Sequence, residues 1–433
     1  MIAGTAAAFA AAVLALGGAF RHGGAAAAGD YLPAAVAEEL QRGFSAGDTQ
    51  AEIAGLQAEL QANPHNVKAL ETLGLAYLQR VRETGDASYY PKAGGILHEA
   101  LAQRPNDLIA TAGLGQLALA RHQFHHALAL GLQAKRISST TAGVYGVIGD
   151  ASLELGRYAQ AFTAFNRMAA IKPSVASYSR VSYARELLGK THAAEQAMEL
   201  AASAAVGEKE AYAWTRVQLG LLELNTGHPR AAFLQMRIAL RSFPGYALAL
   251  DGTAQADAAL GRWHAAIGSE QAAVDRVPLP QYVGFLGDLQ SAVGHRPAAQ
   301  REYSLIGVIE KILAANGVRN DLDIALFDVD HGRNLRHSLA LARKGYAGRP
   351  SIFGDDVLGW ALARNGQCRE ALHYSERSLR LGTKDALKLF HRGWIAACLG
   401  RSAEAKSFYR RALALNPHFS ILWAPVARKG VIS

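Results

Sequence analysis

The stretch from Ile148 to Pro173 reads IGDASLELGRYAQAFTAFNRMAAIKP and contains the spacing that decides the fold. In it a bulky residue precedes Gly149, then Gly156, Ala161 and Pro173 follow, and the same order returns at a spacing close to 34 residues. Periods of this size are typical of stacked helical units, each of which buries its apolar face against the next unit. The sequence therefore predicts an all-α solenoid, and no segment has the alternation of a strand.

Further copies extend this pattern over most of the chain. Good copies begin at Leu73-Gly74, Leu114-Gly115, Leu219-Gly220, Leu286-Gly287, Leu358-Gly359 and Gly393, a degenerate copy keeps Gly261, Trp263, Ala266 and Pro278, and weaker copies lie near Tyr183 and Ile324. An insertion, Arg82 to Pro91, interrupts the earliest copy. We expect about ten units.

Each recurring residue has a physical role. The small residues at the eighth and twentieth positions let two helices approach closely, because a larger side chain would separate them. The glycine at the fifteenth position suits a left-handed exit from the first helix, and the later proline ends the second helix. A bulky replacement of Gly149 or Ala161 should therefore cost about 1–3 kcal/mol of stability.

These residues resemble the tetratricopeptide repeat (TPR) family, in which Leu-Gly-x-x-Tyr is followed by Ala, Phe, Ala and Pro. The match spans roughly Asn63 to Phe419. The resemblance implies a right-handed α-solenoid of about ten helix-turn-helix repeats. Several stretches are also similar to a bacterial subgroup with no assigned activity: Tyr77–Arg80, Tyr89–Pro91, Tyr178–Leu188, Ala325–Gly332 and Asn416–Pro425. HEAT-like helix pairs are the alternative fold, but they repeat at a longer period without this Gly and Ala register.

The resemblance also implies a binding groove. In the family the first helix of each pair lines a concave surface, and its second, fifth, ninth and twelfth positions face a bound partner. Those positions here hold Asp150, Leu153, Tyr183, Trp214, Val217, Leu221, Asp251, Gln255, Asp288, Phe353, Asp356, Trp360, Phe390 and Trp394. The family's carboxylate clamp for acidic tails is not reproduced.

The aromatic and acidic groove residues favour a protein partner that is an extended peptide or a helix with basic and apolar side chains, because aromatics bury area and carboxylates pair with cations. The alternative is that Trp214, Trp360 and Trp394 pack in the core between adjoining repeats.

Enzyme chemistry is not indicated by any motif. The sequence lacks a Gly-x-Ser-x-Gly elbow, a phosphate loop, a dinucleotide fingerprint and a His-Glu-x-x-His helix. His122, His125 and His126 share a helical face and could bind a transition metal, but a solvated helix turn is the simpler interpretation. Asp321, Asp323, Asp328 and Asp330 lack the rest of a calcium loop, so we interpret them as capping and surface acids. We expect no cofactor and no metal site.

Charge suggests a second kind of partner. Residues 331–433 contain 18 Lys and Arg against 6 Asp and Glu, whereas the whole chain has a net charge of +9. This basic end could contact an anionic membrane surface, although solubility alone could explain it. No nucleic-acid partner is expected, since no stacking or groove-reading motif accompanies the charge.

The amino-terminal residues suggest export. Ile2 to Phe20 are apolar and uncharged and precede a stretch that ends in Ala25–Ala28. We expect residues 1–28 to be an export signal or a membrane anchor that leaves the repeats facing outward; the alternatives are an inward-facing anchor and a merely Ala-rich, disordered start. The remaining divisions are a linker with leading helices (29–62), the solenoid (63–419) and a C-terminal tail (420–433).

Two cysteines, Cys368 and Cys398, fall at neighbouring points of adjacent units. They are compatible with a disulfide, but two separate reduced cysteines are the commoner arrangement. The function that the sequence favours is a non-enzymatic scaffold that binds proteins through its groove, exported or membrane-associated. The alternative is a membrane-surface assembly or regulatory factor that uses the basic repeats.

Overall fold

The computed structural model describes residues 49–432, which form 22 helices and no strand. The helices are α1 (Thr49–Ala62), α2 (Val67–Thr84), α3 (Tyr89–Gln103), α4 (Leu108–Ala120), α5 (Phe124–Ile137), α6 (Ala142–Glu154), α7 (Tyr158–Ile171), α8 (Val175–Leu187), α9 (Thr191–Ala204), α10 (Lys209–Asn225), α11 (Pro229–Ser242), α12 (Ala247–Ala259), α13 (Trp263–Arg276), α14 (Pro280–Ala292), α15 (Arg296–Ala315), α16 (Asp321–Asp330), α17 (Leu335–Gly348), α18 (Ile352–Arg364), α19 (Cys368–Ser378), α20 (Ala386–Cys398), α21 (Ser402–Leu415) and α22 (Ala424–Ile432). The predicted export signal and most of the predicted linker lie outside the described residues.

Ten consecutive helix pairs, from α2–α3 to α20–α21, make up the body of the protein, and α1 and α22 flank them. Each first helix packs against its own second helix and against the first helix of a neighbouring pair. The small residues act as predicted, because a Cβ atom added to Gly149 would lie 2.3 Å from the ring of Phe165. The predicted α-solenoid of about ten helix pairs is confirmed.

Short polar side chains fix where several first helices begin. The Asp107 carboxylate accepts a hydrogen bond from the backbone N–H of Ala110, and Ser174 and Ser177 form a reciprocal capping box. Such caps satisfy backbone donors that have no partner within the helix. They set the length of the first helices and therefore the alignment of successive pairs.

The solenoid coils so tightly that its successive turns touch. Hydrogen bonds join residues that are 192 to 197 positions apart, among them His122 with Arg319, Gln123 with Gly317, Glu154 with Arg349, Leu187 with Thr383, and Leu224 with Asn416. In a repeat of about 34 residues, this separation corresponds to between five and six helix pairs. The short connection between the two helices of an early pair therefore contacts the loop before a later pair, which lies one superhelical turn further along the chain.

The strongest of these turn-to-turn contacts is a buried ion pair. Arg349 donates to both carboxylate oxygens of Glu154, at 2.6 and 3.1 Å, and the two side chains are only 5% and 3% exposed. Beside it the backbone N–H of Ile352 donates to the Tyr158 hydroxyl at 2.7 Å. Glycine is required nearby, since Gly189 has a φ of +69° and an added Cβ would lie 2.3 Å from the carbonyl oxygen of Gly382.

The C-terminal residues fold back into the second superhelical turn. Ser420 accepts hydrogen bonds from the backbone N–H groups of Leu422 and Trp423 and so starts the turn that leads into α22. Ile421 packs against the apolar cluster of α12–α14 that contains Phe285 and Leu289. Residues 420–433, which the sequence divides off as a tail, are thus part of the packed structure as far as Ile432, because their apolar side chains fill the space inside the coil.

Cys368 and Cys398 form a disulfide, with their Cα atoms 6.2 Å apart. The bond joins the start of α19 to the end of α20. The commoner arrangement of two separate thiols is therefore not the one that the structure has. Within residues 49–432, no helix combines the length and the apolar character needed to cross a bilayer.

Candidate partner-binding surface

The predicted groove residues lie on first helices as expected, but most of them are covered. Ten of the fourteen are buried: Asp150, Leu153, Trp214, Val217, Gln255, Asp288, Phe353, Asp356, Trp360 and Phe390. Four are partly exposed: Tyr183, Leu221, Asp251 and Trp394. These ten side chains contact adjoining helices, the neighbouring superhelical turn or the C-terminal segment.

The segment from Phe419 to Trp423 covers the aromatic residues of the later repeats. The Trp423 ring lies 5.5 Å from that of Phe390 and 5.3 Å from that of Trp360. Trp360 is 0% exposed and stacks on His391 with ring centroids 4.2 Å apart. The interpretation of these tryptophans as core residues therefore holds for Trp360.

Trp214 is also a core residue, since it packs with Val175 and Met198 between adjoining pairs. Trp394 lies at the edge of the aromatic cluster and stays partly exposed. Large aromatic rings at such positions contribute most of their energy through burial against other rings. Burial within the chain thus explains Trp214 and Trp360 without a partner, whereas Trp394 remains partly exposed.

The buried groove acids have partners within the chain. Asp150 accepts two hydrogen bonds from Arg180, at 2.9 and 2.7 Å. Asp356 pairs with His391 at 3.1 Å. These carboxylates are satisfied internally, because burying an unpaired charge would cost several kcal/mol.

Asp288 is likewise occupied. Its Oδ1 atom accepts from the Tyr303 hydroxyl at 2.8 Å and from His331 Nε2 at 2.7 Å. His331 Nδ1 lies 2.7 Å from the carbonyl oxygen of Phe327, so both ring nitrogens face acceptors and the imidazole is held as its cation. Although burial lowers the pKa of His331, the hydrogen bond and charge of Asp288 raise it by more, and the net shift is upward.

The accessible part of the predicted surface is concentrated on α8, α10 and α12. Tyr183 and Glu186 lie on α8, Leu221 and Asn225 on α10, and Asp251 on α12, all partly exposed. A cavity of about 40 Å³ adjoins Tyr183, Glu186 and Asn225 where the two superhelical turns meet, and Phe419 closes another side of it. A cavity of this volume can hold one or two water molecules. We refer to Tyr183, Glu186, Leu221, Asn225 and Asp251 as the accessible concave surface.

Two carboxyl groups of this surface titrate near neutrality. Burial raises the pKa of Glu186 to about 7, and the charge of Asp385 adds to the increase, while Asn225 and Lys388 oppose it. Burial also raises the pKa of Asp251 to about 7, against the lowering effects of the hydrogen bond from Gln255 and of the neighbouring Glu270 carboxyl. A cation that approached either group would favour its ionised form. The surface is therefore suited to positively charged ligands.

The residues considered for metal binding have other roles. His122 has a φ of 55° and its Nδ1 atom lies 3.0 Å from the carbonyl oxygen of Arg319, so it belongs to the turn-to-turn contact and not to a solvated turn. Asp321 and Asp323 lie in the first turn of α16, where acids are favourable. Asp330 accepts from two indole N–H groups. Among residues 49–432, no set of three or more His, Cys, Asp or Glu is placed to hold a metal ion.

Sequence reasoning missed several residues that shape this surface. Phe419, Ile421 and Trp423 come after the last repeat, so the repeat register gives them no position. Glu270 is different, because it stands where comparable repeats carry Phe165, Met236, Tyr303 or Tyr409. An acid at an apolar repeat position was a visible signal.

Comparison with known proteins relates one of these helix pairs to a described family. Residues 386–419, which span α20 and α21, match the family model described as Tetratricopeptide repeat. No curated protein matches the chain.

Several solved structures are similar in fold. The human IFIT1 dimer with PPP-AAAA is 13% identical, covers 88% of this chain and 89% of its own, and has a TM-score of 0.46. The APC/C hetero-tetramer Cut9-Hcn1 is 14% identical over 88% of this chain and 81% of its own, with a TM-score of 0.40. YrrB, described as a TPR protein with an unusual peptide-binding site, is 19% identical over 41% of this chain and 91% of its own, with a TM-score of 0.29.

Solenoids of this kind generally present extended concave surfaces to other proteins. The match of one helix pair to the family model, within a run of ten such pairs, confirms the resemblance of the described solenoid to tetratricopeptide repeats.

Proposed function

We propose that the protein is a non-enzymatic scaffold, exported or anchored at the cytoplasmic membrane and facing outward, that binds a partner protein through the accessible concave surface. The observation that carries the proposal is the exposure of Tyr183, Leu221 and Asp251 in a solenoid whose other concave residues are mostly covered. The proposed ligand is an extended peptide or helix with basic and apolar side chains. Of the other predicted groove residues, Trp394 is the one that a partner could also reach.

The chemistry of the surface supports this choice. Tyr183 and Leu221 offer apolar area, and aromatic side chains bury it at low entropic cost. Glu186 and Asp251 each have a pKa of about 7, so a bound cation would ionise them and release protons. Affinity for a basic partner is then expected to rise with pH between 6 and 8.

Two features support the proposed location. The apolar run Ile2–Phe20 has the composition of an export signal or anchor. The disulfide between Cys368 and Cys398 is of the kind that persists in oxidising compartments outside the cytoplasm. Mass spectrometry of the mature amino terminus tests this location. An intact, uncleaved terminus on protein recovered from the soluble cytoplasmic fraction would contradict it.

The second candidate, a membrane-surface factor, has one structural feature in its favour. On the 20-residue helix α15 the side chains of Leu305, Val308 and Ile312 are about half exposed and share a face that Lys311 borders. Much of the basic charge after residue 331 is paired internally, however, as in Arg349–Glu154 and Lys388–Asp385. Salt-sensitive binding to anionic vesicles, lost on deletion of residues 331–433, would favour this candidate.

The test of the scaffold is site-specific photo-crosslinking in the native cell. A benzophenone amino acid placed at Leu221 should form a discrete adduct with a partner, and Asp251→Asn should weaken that adduct. The matched control is Leu234 on α11, which is 62% exposed and lies on a second helix. Equal adduct patterns from both positions would mean that the concave surface has no selective partner.

A further inference from the structure

An unpartnered acid lies in the core behind the accessible concave surface. Glu270 of α13 is 0% exposed, and its carboxylate oxygens meet no hydrogen-bond donor; the polar group beside them is the carboxyl of Asp251, itself an acceptor. It stands sixteen residues after the small Ala254 of the first helix. The same relation to the small residue of other pairs is held by apolar or aromatic side chains: Phe165, Met198, Met236, Tyr303 and Tyr409. The repeat therefore places a carboxyl group where its fold requires only an apolar contact.

Two further polar side chains lie on α12: Asp251, whose carboxyl adjoins that of Glu270, and Gln255, which is bonded to Asp251. Gln255 Nε2 donates to Asp251 Oδ2 at 2.7 Å, which fixes the orientation of the Gln255 amide. The other end of that amide, Oε1, is buried without a partner, and the Gln255 side chain is only 6% exposed. Asp251 itself is partly exposed on the concave surface. Gln255 Oε1 and both carboxylate oxygens of Glu270 are thus acceptors without a donor in the described chain, whereas Asp251, the carboxyl beside Glu270, already accepts from Gln255.

An arrangement of this kind is costly in an empty protein. A buried polar group without a hydrogen bond costs free energy, and such groups in native structures are usually explained by a ligand, an ion or water. Without a ligand, Glu270 can hold a proton itself, because burial and the neighbouring Asp251 carboxyl both raise the pKa of Glu270. The other titratable groups that face the site are the phenols of Tyr246 and Tyr282.

We propose that Asp251, Gln255 and Glu270 bind the ammonium group of a lysine side chain that the partner inserts from the concave surface. This inference rests on the proposed function and specifies its ligand. An ammonium has three N–H donors and no acceptor, which matches three acceptor groups. The four methylene groups of lysine are long enough to carry the charge below the surface while they contact apolar walls. The lysine side chain would enter past Asp251, the partly exposed member of the three.

A divalent metal fits the same oxygens less well. Ca²⁺ and Mg²⁺ take six or more oxygen ligands, and Mg²⁺ keeps several waters. Residues 49–432 hold no set of three or more His, Cys, Asp or Glu placed for a metal, and the unpartnered atoms of Glu270 and Gln255 are out of contact with solvent. Ammonium therefore satisfies the site with fewer additional ligands.

The test compares two capped pentapeptides, acetyl-Ala-Leu-Lys-Leu-Ala-amide and the same peptide with norleucine in place of lysine, by titration calorimetry against the full chain at pH 8. The wild type should prefer the lysine peptide by about tenfold or more, the effect of one charge-assisted hydrogen-bond set. Glu270→Met should remove that preference and should still fold, because Met198 and Met236 hold the equivalent position in two other pairs. The control, Asp275→Asn, changes an exposed acid on the same helix and should leave the preference intact.

Further arms separate the alternatives. Butylammonium should compete with the lysine peptide, whereas calcium and magnesium chloride should not; competition by the metals alone would overturn the proposal in favour of a metal site. A lysine preference that Glu270→Met leaves unchanged, or no lysine preference at millimolar peptide, would also overturn it. If both peptides bind equally and both lose affinity in Leu221→Arg, the concave surface binds peptides and only the lysine site is wrong.

Discussion

The indole N–H of Trp423 donates a 2.9 Å hydrogen bond to Asp330 Oδ1, although the two residues are 93 positions apart. The same oxygen accepts from the indole N–H of Trp360 at 2.8 Å. One carboxylate therefore joins the end of the first helix of the eighth pair, the ninth pair and the segment after the tenth. This relationship makes the C-terminal segment part of the solenoid core, and the first prediction follows from it.

Trp423→Ala should lower the free energy of unfolding by about 3–5 kcal/mol, because it removes a buried ring and leaves Asp330 with one donor fewer. Urea denaturation followed by circular dichroism measures the change. Val206→Ala, at a side chain that is 73% exposed, is the control and should change stability by no more than about 0.5 kcal/mol. Equal effects of the two substitutions would show that the C-terminal segment is not packed inside the coil.

The turn-to-turn ion pair predicts strong coupling between two distant residues. Glu154→Ala and Arg349→Ala should each destabilise by about 3–5 kcal/mol, since each leaves an unpaired buried charge. The double variant should cost less than the sum of the two. Small-angle scattering should show a larger radius of gyration for either single variant, because the turns lose their strongest contact. Additive costs with an unchanged radius would contradict the stacked turns.

Helix glycines should divide into two classes. Gly149→Ala should cost about 1–3 kcal/mol, because the new methyl group would lie within 2.3 Å of the Phe165 ring. Gly307→Ala on α15 has no atom within 4 Å of the new methyl group. It should stabilise by about 0.5–1 kcal/mol through helix propensity. Thermal denaturation of the two variants beside the wild type gives the sign of each effect.

The Asp288–His331 pair predicts a pH-dependent contribution to stability. The pKa of His331 is raised on folding, so its contribution is fully present below the ordinary histidine pKa and is lost as pH rises through the raised value. The stability difference between wild type and His331→Gln should therefore be largest near pH 6 and should shrink toward pH 9. Denaturation midpoints at several pH values test this. His264→Gln, at an exposed histidine, is the control, and a difference that grows with pH would refute the assignment.

The disulfide predicts a redox-dependent stability. The oxidised protein should have no thiol that reacts with a labelling reagent before reduction, and two after reduction and unfolding. Because the bond closes a loop with a sequence separation of 30, its loss in Cys398→Ser should lower the free energy of unfolding by about 2–4 kcal/mol. Two reactive thiols in freshly isolated native protein would contradict the bond.

The helix pairs could be predicted from the sequence because the interactions that define them are local. Gly149 meets Phe165, and Gly393 meets Tyr409, within one repeat. Glycine turns and prolines mark the helix ends for the same reason. The exceptional Glu270 could also have been noticed, since it interrupts an apolar repeat position, although its unpartnered state is visible only in the fold.

The sequence by itself determined the all-α class, the number of helix pairs and the residues that face inward. Only the tertiary structure decided which inward-facing residues a partner can reach. Curvature accumulates from a small rotation at each repeat interface, and whether Glu154 meets Arg349, 195 positions later, depends on the sum of these rotations. Trp360 is buried and Leu221 stays partly exposed, because the ring of Trp423 packs on Trp360 and Phe390, a long-range contact that no repeat pattern specifies.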